Sequence, residues 1–374
     1  MLALFFAGIA TFALLYCVQP VLPLLAAEFG VSAAASSLAL SLSTLGLALC
    51  LLAAGALSES WGRKGVMLAA LAAAGLLGLL SAFAAAWPVL LAARLLLGVA
   101  LSGLSALAMA YIGEEVEPRS LSRAMALFIS GNAFGGLLGR LVAGLLGDAG
   151  GWRLALGGIA VLALAATAAF AWLLPPSRHF SAQPLSLAGL AGNYLRHLRN
   201  PALRRLFLQS FLLIGGFVAI FNYLAFHLQQ PPFDLSPGMV GLLSLVYLVG
   251  IVAAPLAGRL VARWGLARVQ RGAIALMLVG VGGCAMPWLA AIMLGLVAVT
   301  GGFFAVHAVA SGEVGQRAQG ARAQASALYL SAFYLGSSVV GYAGGYLWDH
   351  AGWHALLAAV AALCALAGWR AGRA

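Results

Sequence analysis

Long apolar runs with few polar interruptions follow one another along the whole of this sequence. A helix needs about 20 apolar residues to cross a bilayer, and we find twelve such runs. They are residues 2–23, 36–57, 66–86, 88–112, 123–147, 153–174, 206–227, 238–258, 270–286, 288–311, 324–346 and 352–369. The runs are continuous and do not alternate with a period of two, so they indicate helices and not membrane strands. The pattern predicts an all-α membrane protein with twelve transmembrane helices.

The composition agrees with a membrane protein. Hydrophobic residues make up 64% of the 374 residues and charged residues 8%, whereas about 25% of a soluble domain is charged. The first run has no basic flank and no small-residue cleavage site, so we expect a retained helix and not a removed signal. The four cysteines, which lie inside predicted helices without metal-ligand spacing, are expected to be buried and reduced. They are Cys17, Cys50, Cys284 and Cys364.

Two sequence features occur twice, about two hundred residues apart. GALSESWGRK at 55–64 is echoed by GRLVARWGLAR at 258–268, and DAGGWR at 148–153 is echoed by DHAGWH at 349–354. Duplicated halves are typical of secondary transporters, in which two bundles rock about a central substrate site. The repeat therefore predicts two related six-helix bundles.

We place the bundles at residues 1–174 and 206–374, joined by a basic cytoplasmic linker at 175–205. The stretch 186–199 in this linker could form an amphipathic helix on the inner membrane surface, or the segment could be an ordinary basic connection. The net charge of +11 reflects topology, because seventeen of the twenty Lys and Arg residues fall in the predicted inward loops and tail. By the positive-inside rule, both termini of a bacterial inner-membrane protein would face the cytoplasm. The charge indicates contact with anionic lipid and not with nucleic acid.

The motif between the second and third runs resembles that of the major facilitator superfamily. In that family a Gly, an Asp, a second Gly and two basic residues recur at fixed spacing, and this sequence has Gly55, Glu59, Gly62, Arg63 and Lys64. Glu59 replaces the family's Asp. The next position, which is basic in the family, is Ser60. The resemblance extends over essentially the whole chain, and it implies a fold of two pseudo-symmetric six-helix bundles.

Shorter stretches are most similar to one branch of that superfamily. Residues 16–20, 38–43 and 130–132 resemble the YnfM-like branch, near the Bcr/CflA-type drug exporters. In the family, the motif loop holds the cytoplasmic side closed, which would make Glu59 and Arg63 gating residues. The alternative is a basic turn that only sets topology. The second copy keeps Arg263 but has Ala262 in place of the acid, so we expect the first copy to be the stronger gate.

Two arginines lie inside predicted helices, where a charged group is costly and by default functional. Arg94 matches the family's buried arginine of the fourth helix. Asn132, Gly136 and Arg140 fall on one face of the fifth helix, which resembles the drug-antiporter signature but has Gly136 where that signature has Pro. We expect Arg94, Asn132 and Arg140 to contact substrate.

Seven polar or aromatic residues in the first, seventh, eighth and eleventh runs are further candidates for the substrate pocket. The resemblance implies that helices one, four, seven and ten line the cavity. Each could instead be a packing residue or an interfacial anchor. They are Tyr16, Gln19, Asn222, Tyr223, Tyr247, Tyr329 and Phe333.

All nine acidic residues fall in predicted loops or at helix ends, so no carboxylate is expected in mid-membrane. The remaining candidates for proton coupling are His307, whose ordinary pKa near 6.5 suits a proton relay, and the helix-end acids Glu114 and Glu313. The alternative for His307 is a structural histidine bonded to a backbone carbonyl.

No nucleotide-binding loop, catalytic grouping or metal-ligand spacing emerges, so we expect neither an enzyme nor a bound cofactor. The sequence therefore predicts a monomeric secondary transporter for a small molecule, with proton-coupled efflux of amphipathic compounds by alternating access as the first hypothesis. A carrier for small organic anions or sugars is the alternative, because the two arginines offer positive charge. A channel is a weaker alternative, and a membrane scaffold or sensor is one from another class.

Overall fold

The computed structural model of the chain describes residues 2–61, 63–177, 187–318 and 320–371, and their regular structure is helical. The helices are α1 (Leu2–Tyr16), α2 (Leu22–Phe29), α3 (Ala33–Ser36), α4 (Leu38–Trp61), α5 (Arg63–Ala82), α6 (Trp87–Glu115), α7 (Leu121–Leu173), α8 (Leu187–Arg199), α9 (Pro201–Leu228), α10 (Pro237–Leu242), α11 (Leu248–Trp264), α12 (Leu266–Cys284), α13 (Leu289–Arg317) and α14 (Arg322–Ala371). Short 3-10 turns lie at Gln19–Val21, Pro118–Ser120 and Leu243–Tyr247. The predicted all-α membrane fold class is confirmed.

Ten helical stretches among the described residues are long and apolar enough to cross a membrane. The two longest, Arg123–Leu173 and Arg322–Trp369, contain 51 and 48 residues, about twice the length of one crossing. In α7, Gly150 and Gly151 leave helical geometry, and Gly151 has a φ of 76°. In α14, Gly352 does the same with a φ of 75°. Only glycine enters this left-handed region without steric cost.

Each long helix folds back on itself at these glycines. Leu146 packs against Gly158 across the bend in α7, and Leu356 comes within 2.9 Å of the position of a Cβ on Gly344 across the bend in α14. Residues twelve apart would lie about 18 Å apart in a straight helix, so the two arms of each helix are antiparallel neighbours. Ten stretches, two of them with two arms, are compatible with twelve crossings, and that number stays a prediction.

Three predicted runs differ in detail from the helices. The first run is interrupted after Tyr16 by a 3-10 turn that contains Pro20, which lacks the N–H of a helical residue. The eighth run is interrupted by the turn at Leu243–Tyr247. The seventh helix begins at Pro201 and not at 206, because the Asn200 side chain accepts hydrogen bonds from the first free N–H groups of α9.

The chain divides into two compact units, each described here by itself. Unit 1 comprises Met1–Val31, Leu38–Ser186 and Leu235–Ser244, and unit 2 comprises Ser32–Ser37, Leu187–Asp234 and Leu245–Ala374. Residues 178–186 of the predicted linker lie outside the described residues. Each unit therefore includes one short segment from the other half of the chain.

In unit 1, glycines on one face of α7 bring its backbone against that of α1. A Cβ on Gly135 would lie 2.5 Å from the Ile9 carbonyl oxygen, and one on Gly139 would lie 2.6 Å from the Ala13 Cα. One turn earlier, Gly131 abuts the Phe5 backbone in the same way. Small residues at this spacing allow helices to approach closely in a membrane.

In unit 2, α9 and α14 approach each other through the same kind of contact. Gly336 abuts the Phe211 backbone, and a Cβ on Gly215 would lie 2.6 Å from the Val340 Cβ. Each unit thus has one helix, α1 or α9, held against the first arm of its long bent helix.

The second repeated sequence lies at the bends of these long helices. Asp148, just before the α7 bend, accepts a hydrogen bond of 2.6 Å from Ser236, whose hydroxyl in turn caps α10. Asp349, just before the α14 bend, accepts a bond of 3.2 Å from the Ala34 N–H in the first turn of α3. In each unit, the duplicated aspartate therefore joins the bend to a short helix from the other half of the chain.

We predict that Gly135→Ala lowers the free energy of unfolding by about 1–3 kcal/mol, because the new methyl group meets backbone that cannot rotate away. The matched control is Gly272→Ala in α12, where a Cβ would meet nothing within 4 Å and alanine favours the helix. Thermal unfolding of the purified variants measures both effects. Equal melting temperatures for the two variants would contradict the backbone contact between α1 and α7.

Candidate functional site

Arg140 of α7 lies at the centre of a buried polar group in unit 1. Its Nε donates a 2.5 Å hydrogen bond to the Gln19 side-chain oxygen, and its Nη1 donates one of 2.6 Å to the Gly136 carbonyl. The guanidinium also lies 4.3 Å from the centre of the Tyr16 ring, a cation–π distance. We call Tyr16, Gln19, Gly136 and Arg140 the arginine cluster.

The arginine cluster depends on the close approach of α1 and α7. Because Gly139 has no side chain, α7 lies directly against Ala13 of α1. Helix α1 ends one turn later, at Tyr16. The 3-10 turn that follows places Gln19 beside the next turn of α7. Gly136 leaves room for Arg140 itself, since a Cβ there would lie 3.3 Å from Nη1. Of the predicted pocket residues, the structure brings Tyr16, Gln19 and Arg140 together.

Asn132 shares a helix with Arg140 but lies two turns away, about 12 Å along the axis. Its amide packs against α1, where a Cβ on Gly8 would lie 2.6 Å from the Asn132 Oδ1. Within the described residues that oxygen is buried and has no hydrogen-bond donor. The structure therefore separates Asn132 from the arginine cluster.

Arg94, the other buried arginine, joins three helices and not a pocket. It is 1% exposed, and its guanidinium donates to the carbonyl oxygens of Ala39, Leu14 and Leu15 at 2.7–2.8 Å. Leu14 and Leu15 belong to the last turn of α1, whose carbonyls have no intrahelical partner and carry the negative end of the helix dipole. In this structure Arg94 therefore caps α1 and holds it to α4, and its contact with substrate stays a prediction.

In unit 2, His307 of α13 meets Tyr329 of α14. The Tyr329 hydroxyl lies 3.1 Å from the His307 Nδ1. The His307 ring stacks on Phe303 with 5.9 Å between ring centroids, and the Phe333 ring lies 4.8 Å away. These rings surround His307 with apolar surface, and its hydrogen bond is to a side chain.

A small cavity opens beside this pair, and its lining includes two polar residues of α9, Gln209 and Ser210. Gln209 is 5% exposed, and within the described residues its side-chain nitrogen has no acceptor. The sequence reasoning missed both residues, although a glutamine inside an apolar run is the signal that could have revealed them. We call Gln209, Ser210, His307 and Tyr329 the histidine cluster. Its free space of about 10 Å³ holds about one water molecule, so the cavity is far smaller than a ligand pocket.

Three further pocket candidates lie in helix packing. Tyr223 donates a 2.9 Å bond to the Gly341 carbonyl of α14, and Asn222 beside it is fully buried in α9. The Tyr247 ring contacts Phe217 at 5.7 Å, and Phe217 stacks on Phe303 at 4.3 Å. These ring contacts connect Tyr247 to the histidine cluster through Phe217 and Phe303.

The predicted gating residues are described in part. Glu59 and Gly55 lie in a part of α4 whose side chains are outside the described residues, and Gly62 is outside them entirely. Arg63 is 8% exposed and pairs with Glu114 at the end of α6, through bonds of 2.6 and 3.1 Å. Lys64 donates to the Leu174 carbonyl.

The second copy of the motif differs in structure as well as in sequence. Arg263 is exposed at the end of α11. Leu266, which stands where the first copy has Arg63, packs against an apolar cluster that includes Val269 and Val309. Glu313 pairs with Arg317 one turn along the same helix. An ion pair between two helices in the first copy thus corresponds to apolar packing in the second.

Comparison with known proteins agrees with this architecture. The sequence model of the Major Facilitator Superfamily matches residues 4–321 and 230–372. The chain belongs to the major facilitator superfamily.

Two full-length relatives place this superfamily member more closely. It is 44% identical over 370 residues to the MFS-type transporter YybF of Bacillus subtilis, covering 99% of this chain and 92% of that one. It is also 44% identical over 371 residues to the inner membrane transport protein YnfM of Escherichia coli, covering 98% and 88%. The predicted resemblance to the superfamily and to the YnfM-like branch is confirmed.

A solved structure shares the fold. The crystal structure of the nucleoside transporter NupG, as a D323A mutant, superposes with a TM-score of 0.80 at 16% identity and covers 98% of both chains. At that identity the similarity supports the fold alone. The chain is therefore a multi-pass membrane transporter of this superfamily, and its substrate class and energy coupling are matters for proposal.

We predict that Arg94→Gln lowers the free energy of unfolding by on the order of 3 kcal/mol, because it removes charged hydrogen bonds and leaves buried carbonyls unpaired. Arg153→Gln is the control, since its ion pair with Glu28 is half exposed and such pairs contribute about 0–1 kcal/mol. Thermal unfolding in detergent compares the variants. If Arg94→Gln melts like Arg153→Gln, the structural role of Arg94 is wrong.

Proposed function

We propose that the chain is a proton-coupled secondary transporter that exports small amphipathic compounds by alternating access, as multidrug-type antiporters do. One observation carries this proposal. Arg140 is 3% exposed, and its guanidinium donates to the Gln19 side-chain oxygen and to the Gly136 carbonyl beside the Tyr16 ring. A charged group inside a membrane helix is by default functional, and the planar guanidinium matches the geometry of a carboxylate or phosphate on a substrate.

The positive charge of Arg140 restricts the class of substrate. Two alternative classes followed from the sequence: amphipathic drugs, and small organic anions or sugars. An amphipathic organic anion belongs to both classes, with an acidic group for Arg140 and an apolar or aromatic body. The Tyr16 ring beside Arg140 offers aromatic surface for such a body. Tyr16 and Gln19 would then orient the acidic group, and Asn132 would serve α1 packing.

The orientation that we propose follows from the arrangement of basic residues. The inward loops and tail predicted from the sequence carry seventeen of the twenty Lys and Arg residues, which places both termini in the cytoplasm. The relative named as an inner membrane transport protein supports the bacterial inner membrane as the location. We propose a monomer, because the two halves of one chain supply both bundles of the fold.

We propose that the inner gate is asymmetric. The first copy contributes Gly55, Glu59, Gly62, Arg63 and Lys64, and the pair between Arg63 and Glu114 supports a clasp at this corner. Among the described residues, Arg263 of the second copy forms no such pair between helices. Neutralising the first copy should therefore open the cytoplasmic side more than the same change in the second.

The substrate class can be tested with three probes that share one ring and differ in charge: phenylacetate, phenylacetamide and phenethylamine. We predict that phenylacetate raises the melting temperature of the purified protein most, since a ligand at 100 times its Kd adds about 2.7 kcal/mol to the free energy of unfolding. Arg140→Gln should abolish this shift, and Arg153→Gln should retain it.

A larger shift with the amine would contradict the anionic substrate class, and so would an unchanged phenylacetate shift in Arg140→Gln. A scaffold or sensor would bind without transporting, so flux into proteoliposomes separates it from a carrier. Flux that never saturates would indicate a channel.

We propose His307 as the proton-coupling residue. Glu114 and Glu313 are already ion-paired at helix ends, whereas His307 is bonded to Tyr329 beside a cavity with further polar groups. We predict that His307→Asn abolishes accumulation of substrate driven by a pH gradient and retains exchange at equal pH. Proteoliposomes with an imposed pH difference measure both activities.

Glu313→Gln is the control and should keep both activities. Loss of pH-driven accumulation in Glu114→Gln, with His307→Asn unaffected, would move the coupling to the helix ends. If no variant responds, the substrate itself could carry the proton, or transport is facilitated diffusion. Collapsing both the membrane potential and the pH difference decides between these, because only a coupled carrier then stops accumulating substrate.

A further inference from the structure

Helix α8 in the basic linker is held to unit 2 along one of its faces. His197 is 2% exposed, and its Nε2 lies 3.1 Å from the Ala321 carbonyl, just before α14. Leu190 and Tyr194, which precede His197 at helical spacing, are partly buried. The predicted amphipathic helix is therefore present, and the face with Leu190, Tyr194 and His197 packs against the rest of unit 2.

The remaining two faces of α8 are exposed and differ in chemistry. Ala191, Leu195 and Leu198 share one face, and the two leucines are 48% and 44% exposed. Arg196 and Arg199, both exposed, occupy the neighbouring face. At 3.6 residues per turn these faces adjoin each other along the helix, and we call them the apolar arc and the basic arc.

The position of α8 in the chain explains what these arcs can meet. Asn200 caps α9 through bonds from the Ala202 and Leu203 N–H groups, so α8 ends one residue before a helix of 28 residues that is long enough to cross the membrane. An exposed apolar strip beside the end of a crossing helix is well placed to enter the bilayer surface. Helices with one apolar and one basic face lie in the membrane interface.

We propose that α8 is a binding site for anionic phospholipid, with the apolar arc among acyl chains and the basic arc on the phosphate headgroups. Charge complementarity supports this occupant. Arg204 and Arg205 follow in the first turns of α9 and are also exposed, and the sequence contains no acidic residue between Asp148 and Asp234. Basic residues beside a transmembrane helix attract anionic headgroups. The proposal requires only that the chain spans a membrane, and it does not depend on the transported substrate.

The site can be tested with a fluorescent reporter on the apolar arc. Leu198→Cys is labelled with NBD, an environment-sensitive fluorophore, in a Cys50→Ala background, because the other three native cysteines are buried. The labelled protein is reconstituted in phosphatidylcholine bilayers that contain a small fraction of brominated phosphatidylglycerol or brominated phosphatidylcholine. Bromine quenches the fluorophore only at close range, so the ratio of the two quenching curves measures local preference for the anionic lipid.

We expect phosphatidylglycerol to quench at lower fractions than phosphatidylcholine. Arg196→Gln with Arg199→Gln should reduce this preference about 5- to 25-fold, at up to about fivefold for each arginine. The matched control is Arg268→Gln with Arg271→Gln, an exposed basic pair of the same spacing in α12, and it should keep the preference. Arg196→Lys with Arg199→Lys should also keep it, because the charge remains.

Equal quenching by the two lipids in the unchanged protein would overturn the proposal. So would equal losses in the α8 and α12 glutamine variants, since the effect would then come from net charge. A fluorophore that neither lipid quenches, with the emission of a water-exposed probe, would place the apolar arc away from the bilayer and point to a protein partner.

Discussion

Direct contact between helix backbones at glycine is the constraint on which both units depend. In a membrane, the hydrophobic effect does not drive helices together, and association depends on packing and on hydrogen bonds between helices. Gly135 and Gly139 let α1 lie against α7, and Gly336 and Gly215 let α9 lie against α14. The polar groups follow from these contacts, because the first helix of each unit must lie close to its partner before its side chains can meet those of the bent helix.

The two buried arginines show how the same residue type serves opposite purposes in one unit. The N–H groups of Arg94 donate to backbone carbonyls on two helices. Its positive charge is therefore stabilised by the negative end of the α1 dipole. Arg140 meets one side-chain amide, one carbonyl of its own helix and a ring. The first arrangement fixes α1 in place. The second uses the end of that fixed helix to place a buried guanidinium beside a side-chain amide and an aromatic ring, and we propose that this guanidinium recognises an anion.

The apolar runs and the motif at residues 55–64 were enough to predict the helical class and the superfamily. The roles of Arg94 and Arg140 could not be separated in the same way, because hydropathy locates a charge in depth but does not say which neighbouring atoms it reaches. Gln209 was missed for a related reason: its importance comes from a cavity formed by three helices far apart in sequence. Arg63 pairs with Glu114, fifty-one residues away, and spacing within the loop does not predict a partner so distant in sequence.

The replacement of an ion pair by apolar packing has a consequence for how the two motif corners respond to their surroundings. The pair between Arg63 and Glu114 is partly exposed, with side-chain exposures of 9% and 31%, so dissolved ions weaken it. Leu266 packs among apolar side chains, and such burial loses strength on cooling and gains it from excluded salts such as sulfate. The two corners therefore respond differently to salt and to temperature. Salts such as sulfate weaken the pair between Arg63 and Glu114 and strengthen the packing around Leu266. Cooling weakens the packing around Leu266.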